Sequence, residues 1–577
     1  MHATGVIVAL ALASSCFRLL LVPAYHSTDM EVHRHWLALT AGRPLRDWYW
    51  DTTSTWSLDY PPLFAYVTRG LAAVARLVAP EVLTLSATAV ESPRVIAFMR
   101  ASAVASDSIL VGGLLVWASY SGRRRTGGSV PGLSTAVAAA CVLFNAGLVA
   151  VDAVHFQYNG MLIGVFIAVA ALLDEGLYMA ATAAFMSLLL LKQLFLTCVP
   201  VVGVILLRWY VVPRRSAAST SWPSALYRTS IVAFCVAAIA VAVLGPVLYS
   251  SERDGQRPPS ANALQLLHRL FPFGRGLVHA VWAPNVWAVY MALDRVLAAM
   301  CRIIDASSRR LLTGAAAAVC DSMRGVGGAR SDSSHLEHQQ RLLLLPHVSP
   351  LVSAMLVLAL QAPVLWLAWQ SPSPTPLSRA VVTPPSRGSG ATALRLLSMA
   401  YLAAFIGGYH VHEKAVLYAL VPALLATAAE STGTGRTTRR RAAAAATWAR
   451  EVLLLTVPAH LSLSPLFFTP MEQPLLLLLT ATYIVALWLA LRHAHGATAF
   501  RCEFGPGPAA LPAYRQTYIV GCALLYGCAH ASAALVPSLP FLPLGAIALY
   551  SAVGIVEGYL RLVRAQIDTQ LADANSE

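Results

Sequence analysis

Residues 27–66 read STDMEVHRHWLALTAGRPLRDWYWDTTSTWSLDYPPLFAY and follow directly on the first apolar segment of the chain. Asp29, Glu31, Arg34, Asp47, Asp51 and Asp59 stand there among Trp36, Trp48, Trp50 and Trp56, in a protein whose charged fraction is only 12%. Indoles gather at bilayer surfaces in any case, and a loop that must stay in water carries charge, so no single Trp here needs a further role. The acids Asp29 and Asp59 are harder to dismiss. Asp29 lies at the mouth of the first apolar segment, and Asp59 precedes Tyr60-Pro61-Pro62, whose fixed proline dihedrals hold the chain in one shape. A carboxylate on a stiff segment at a membrane edge suits a lipid-borne substrate.

Composition sets the class. With 577 residues, 57% of them hydrophobic, and a mean hydropathy of +0.63, the chain holds more apolar sequence than one soluble core can use. The apolar runs suit helices and lack the alternation of a membrane barrel, which predicts an all-α polytopic membrane protein with about 11–13 transmembrane helices. The formal charge of +14 rests largely on arginines between apolar runs. Topology and anionic headgroups explain that placement, so no nucleic-acid partner is expected. Lysine occurs only at Lys192 and Lys414, which makes both conspicuous. The nine cysteines show no metal or disulfide spacing and read as small packing residues.

Residues 5–24 lack a basic leader and are expected to form an uncleaved first span with a cytosolic N-terminus, leaving 25–93 as a luminal loop. Arg123-Arg124-Arg125 then mark the cytosolic side. The run from Asp152 to Gly160 returns to the lumen, where Asp152, His155, Gln157 and Asn159 are either an ordinary connector or a substrate-cleft wall. The cleft is favoured because so many polar groups are costly if they merely cross a bilayer. Residues 178–211 read as two helices broken near Lys192-Gln193, followed by a span over 229–249. In RLFPFGRGLVH (269–279), Arg275 and its neighbours suit a phosphate or sugar; an amphipathic helix on the headgroups is the alternative. Residues 301–341 and 371–390 read as hydrophilic connectors.

His410-Val411-His412-Glu413-Lys414 sits between spans at 391–407 and 415–428. Four titratable side chains in five residues must face water or protein rather than lipid. If the run is helical, His410 shares a face with Glu413 and Lys414. The spacing is not that of HExxH, so no metal site and no cofactor are expected, and Lys414 with His412 is better suited to a phosphate. Further spans are expected over 451–469, 474–491, 516–535 and 540–560. Alternation counted from the two ends agrees only if an additional crossing or a re-entrant segment lies between about 285 and 350.

The segments DMEVHRHW (29–36), WYWDTTSTWSLDYPPLFAY (48–66), VHFQYNG (154–160), RLFPFGRGLVHAVWAPNVWAVY (269–290) and HVHEKAVL (410–417) together resemble the dolichyl-phosphate-glucose-dependent glucosyltransferases of the endoplasmic reticulum. The resemblance implies a single multi-pass domain of the GT-C glycosyltransferase fold in the endoplasmic reticulum membrane, with a luminal active site. TTSTWSLDYPPLFAY and PLFFTPMEQP (465–474) resemble the branch that adds the second glucose in α-1,3 linkage; the branch adding the first is the alternative. The implied donor is dolichyl-phosphate-glucose and the implied acceptor a dolichyl-pyrophosphate oligosaccharide. The family's donor is β-linked and its product α, so configuration inverts. An attacking hydroxyl then needs a carboxylate base, and a leaving phosphate needs positive charge. The resemblance implies Asp29 and Asp59 as the catalytic acids and His412 and Lys414 as phosphate ligands, with Arg275 assisting. Glu31, Arg34, His155, Gln157, Asn159, His410 and Glu413 are the expected remaining substrate contacts. A transporter would also be polytopic with buried charge, but the chain shows no internal repeat of the kind transporters carry.

Overall fold

The computed structural model describes residues 3–121, 134–213, 221–250, 257–279, 282–311, 342–373, 391–428, 436–467, 472–507, 510–535 and 542–574. Among the described residues the architecture is helical, with a single isolated bridge between Glu503 and Ala510 as its only extended pairing. Seven helices are long and apolar enough to cross a membrane, and four shorter apolar helices accompany them. The expected all-α polytopic fold is therefore the one observed.

The first helix, α1 (Ala3–Leu20), is one of the four shorter apolar ones. The stretch expected as a luminal loop is itself mostly helical. Ser27 caps α2 (Thr28–Gly42) by accepting a hydrogen bond from the Asp29 amide, and Asp29 and Glu31 in the first turn complement the helix dipole. Pro61 and Pro62 start α3 (Pro62–Val78), where a missing amide proton costs nothing. After α4 (Pro93–Ser121), α5 (Thr135–Leu143) runs on into a π-helical turn, Val149–Phe156. Then α6 (Asn159–Asp174) and α7 (Tyr178–Leu191) follow.

Helices α4 and α6 cross at backbone contact. A Cβ on Gly113 would lie 2.1 Å from the Gly164 carbonyl oxygen, and one on Gly164 would lie 2.4 Å from that of Ile109. Small residues permit this approach in membranes, where close packing replaces the hydrophobic effect between helices. Gly164→Val should destabilise the protein by about 1–3 kcal/mol or more through overpacking. Thermal unfolding in detergent checks this; an unchanged melting temperature would show that the crossing is not tight.

Beyond the expected break at Lys192, a 3-10 turn (Gln193–Cys198) and α8 (Val199–Leu206) lead to α9 (Trp222–Tyr249), of whose apolar window only 6% is buried, so that it faces lipid. Next come α10 (Pro259–Leu270) and α11 (Val286–Leu311), whose last residues occupy the start of the expected 301–341 connector. Most of both connectors, 312–341 and 374–390, lies outside the described residues, as do 280–281 and 468–471 of the quoted motifs. A further helix long and apolar enough to cross is α12 (Pro350–Gln370), which begins at the far edge of the 285–350 window in which alternation called for a crossing or a re-entrant segment.

The buried centre is α13 (Thr392–Gly407) with α14 (Leu417–Leu425). Every residue of α14 and nearly every residue of α13 is buried, as expected of helices that touch protein on all sides. Four long helices complete the chain: α15 (Arg436–Leu461), α16 (Glu472–His495), α17 (Ala513–Leu535) and α18 (Leu542–Ala574).

Candidate active site

Asp29 is the point on which three distant segments converge. Its Oδ2 accepts a hydrogen bond from Gln157 Nε2 at 2.7 Å, lies 3.4 Å from His155 Nε2, and pairs with the Lys414 ammonium. The Asp29 side chain is 26% exposed and that of Lys414 only 6%, so the carboxylate is pinned yet still approachable. Burial by itself would raise the Asp29 carboxyl, but Lys414, His155 and His412 outweigh it and hold the group well below the usual carboxylate range.

Local backbone makes this convergence possible. The amide and hydroxyl of Ser27 both donate to the His155 carbonyl, at 2.9 and 2.7 Å, tying the start of α2 to the π-helical turn. That turn ends at Phe156 with φ of 88°, a left-handed conformation that a bulky residue adopts only when its surroundings enforce it. The reversal aims His155 and Gln157 at the same carboxylate, and His33 Nε2 donates to Gln157 Oε1 at 3.3 Å from behind. π-Helical insertions gather at functional sites for this reason.

The second acid is held separately. Asp59 Oδ2 receives Arg275 Nη1 at 3.0 Å, and Gln193 Nε2 donates to the Asp59 carbonyl at 3.0 Å and to that of Leu270 at 2.9 Å. Burial raises the Asp59 carboxyl, with Arg275 opposing. Of the two acids, Asp29 is therefore the one held firmly ionised.

His410 does not share a face with Glu413 and Lys414. Gly407 and Gly408 end α13, His410 takes φ of 52°, and helical geometry resumes only with the 3-10 turn Glu413–Val416. The His410 amide donates to the Leu277 carbonyl at 2.8 Å, and its Nδ1 lies 2.9 Å from the Gly276 carbonyl, so it fastens this loop to the 273–279 segment. His412 instead packs against His279, with ring centroids 4.1 Å apart. His412 Nδ1 lies 2.8 Å from a carboxylate oxygen of Glu413, which is fully buried. Burial pushes His279 down to about 3 and His412 well below the ordinary imidazole value, while Glu413 is raised by burial. Donor atoms of His279, His412 and Glu413 lie within 4.8 Å of one another. Two imidazoles and a carboxylate are a set that zinc accepts, and although His412 Nδ1 and a Glu413 oxygen lie 2.8 Å apart, neither makes a hydrogen bond among the described residues. Beside them a cavity of about 620 Å³ is lined by Arg275, Gly276, His279, His347, Tyr409 and His410.

Glu31 and Arg34 take no part in this cluster. They form a buried bidentate pair, at 2.7 and 2.6 Å, and Arg34 Nη1 also donates to the carbonyls of Val82 and Thr84 at 2.9 and 2.7 Å. All of that chemistry is spent bracing α2 against the 80–90 segment. Asn159 is likewise occupied: its Nδ2 donates to Asp152 at 2.8 Å, and its Oδ1 accepts from the Tyr418 hydroxyl. Lys192 and Tyr60 were absent from the expected site residues, yet Lys192 Nζ lies 4.9 Å above the Tyr60 ring, directly beside Asp59 in the chain.

The similarities to known proteins extend beyond the site to nearly the whole chain. A family profile described as ALG6, ALG8 glycosyltransferase family matches residues 14–562. Proteins named dolichyl pyrophosphate Glc1Man9GlcNAc2 alpha-1,3-glucosyltransferase from Mus musculus and Arabidopsis thaliana are each 32% identical to it, over 96% of this chain and 94% and 96% of their own lengths. A Neurospora crassa protein of the same name is 32% identical over 95% of this chain and 96% of its own. With the family profile matching residues 14–562 and relatives 32% identical over nearly the whole chain, the chain belongs to the ALG6, ALG8 family of glycosyltransferases.

Proposed function

We propose that the protein transfers glucose from dolichyl-phosphate-glucose to the 3-hydroxyl of the terminal glucose on Glc1Man9GlcNAc2-pyrophosphoryl-dolichol, with inversion. The observation that carries this reading is the Asp29 carboxylate, ionised and partly exposed, set among Lys414, His155 and Gln157. The acceptor oxygen attacks the anomeric carbon while its proton passes to Asp29. The bond from that carbon to the phosphate oxygen breaks, and its electron pair leaves with the phosphate, which becomes one unit more negative. Lys414 and His412, assisted by Arg275 from the Asp59 side, favour that developing charge. Names of relatives across animals, plants and fungi support the choice of acceptor.

Topology supports a luminal site in the endoplasmic reticulum. With Arg123–Arg125, Arg214-Arg215 and Arg439–Arg441 on the cytosolic face, the intervening helices cross in alternation. The segments carrying Asp29, Asp59, Gln157, Lys192, Arg275 and His412 then share the opposite face. Between the second and third arginine groups, α9 reaches that face, α12 returns from it and α13 reaches it again before the His410–Lys414 loop.

The decisive experiment offers purified protein the donor with either the unglucosylated or the monoglucosylated acceptor and determines the product linkage. Conversion of the monoglucosylated acceptor to an α-1,3-diglucosylated product is expected. Exclusive use of the unglucosylated acceptor would move the protein to the preceding transfer.

A further inference from the structure

The cations already described around the two acids are largely spoken for. Lys414 is paired with Asp29 and Arg275 with Asp59, while the rings of His279 and His412 pack on each other and His412 Nδ1 lies against the Glu413 carboxylate. A leaving phosphate gains a full negative charge, and ion pairs that are already neutral offer it only part of the field it needs. Lys192 differs from the others. Its Nζ donates to the Tyr418 hydroxyl at 3.1 Å and lies 4.9 and 5.4 Å over the rings of Tyr60 and Tyr418. Among the described residues no carboxylate comes within ion-pair distance of it, and an ammonium has three donors to satisfy. Aromatic faces and one hydroxyl can hold such a cation without neutralising it.

The backbone supplies a second, independent observation. Lys192 is extended, with φ of −152° and ψ of 116°, between the end of α7 and the 3-10 turn beyond it. Irregular backbone between two apolar helices is tolerated where it is sealed in protein or lines a polar cavity. The neighbouring Gln193 Oε1 is buried with no hydrogen-bond partner, while its Nε2 holds the Asp59 carbonyl. An ammonium without a carboxylate partner and an orphaned amide oxygen, side by side next to the segment that carries Asp59 and Tyr60, suit a ligand that offers both an anion and a hydroxyl.

We propose that Lys192 is the principal cation for the donor phosphate, receiving its non-bridging oxygens as the glucosyl bond breaks. The proposal rests on the glucosyl-phosphate reading above. It gives the two lysines of the chain unequal shares: Lys414 keeps the base ionised and adds to the field on the phosphate, and Lys192, which has no counterion among the described residues, carries most of that field. The orphaned Gln193 oxygen accepts a hydroxyl of the donor glucose beside it.

The test uses full-length protein in detergent, with a short-chain prenyl phosphate as inhibitor and the matching prenyl alcohol as control. In Lys192→Met the inhibition constant for the prenyl phosphate and the KM for the donor should rise about 10–100-fold, the worth of a charge-assisted hydrogen bond. KM for the oligosaccharide acceptor and inhibition by the alcohol should not change, and Lys192→Arg should recover part of the loss. A Lys192→Met protein inhibited by the phosphate as strongly as the parent would overturn the proposal, as would equal losses for phosphate and alcohol. If that variant fails to accumulate, a cryo-EM structure of the parent with donor decides: phosphate oxygens within hydrogen-bond distance of Nζ support it, and a phosphate held elsewhere refutes it. Prenyl phosphate binding through Lys192 without glucose transfer would sink the proposed reaction and leave the subsite standing.

Discussion

Asp29→Asn should fold and bind donor, yet transfer glucose about 10²–10⁴-fold more slowly, the range a positioned general base supplies. Asparagine keeps an oxygen where Gln157 Nε2 now donates, but it cannot take the proton of the acceptor hydroxyl. It also leaves Lys414 without its counterion. The resulting loss of stability should be modest, because the carboxylate is 26% exposed and water can replace it. Single-turnover assays with saturating donor, beside a thermal unfolding scan, separate the two effects. Normal turnover would remove Asp29 from the role. An inactive Asp59→Asn beside a merely slowed Asp29→Asn would transfer the role to Asp59.

Lys414→Met should lower kcat about 10²–10³-fold, as expected when a preorganised charge is removed from a developing anion, and should also move the pH profile. Burial raises the Asp29 carboxyl and Lys414 is the largest influence pulling it down. The parent carboxylate therefore stays ionised to well below the usual range, and the rate should be flat on the acid side through neutral pH. Without Lys414 the burial is offset less, Asp29 protonates at higher pH than in the parent, and the acid limb of kcat/KM shifts upward. An acid limb that stays in place, with kcat reduced, would mean that Lys414 serves the phosphate alone.

Sequence reasoning located the chemistry better than it located the contacts. Asp29, His155, Gln157 and Lys414 were identifiable by type, because charge between apolar segments needs a reason. Their convergence on one carboxylate was not, since it depends on a left-handed Phe156 and a π-helical turn that no periodicity announces. Glu31 and Arg34 show the opposite case. They were expected as substrate contacts, and the structure finds them closed into a buried brace that their i,i+3 spacing on α2 permits. His410 failed as a helical neighbour of Lys414 because two glycines precede it. His279 and His412 stack although they lie in separate segments, so local spacing could not reveal their cluster with Glu413. Lys192 was conspicuous in composition, but its aromatic cradle comes from Tyr60 and Tyr418, one on each side of it in the sequence.

The pairing of Asp29 with Lys414 joins positions 385 residues apart. At a synthesis rate of about 5–20 residues per second, the base is made roughly 20–80 s before its partner. Throughout that interval the nascent chain holds a carboxylate at the membrane edge with no ammonium to meet it, although the Glu31–Arg34 brace beside it can already close within its own helix. The catalytic centre thus cannot be completed until residue 414 has been made, long after its base. A truncated chain released before residue 414 can have a fully formed α2 and still be incapable of turnover, so synthesis itself separates folding of the first segment from the onset of activity.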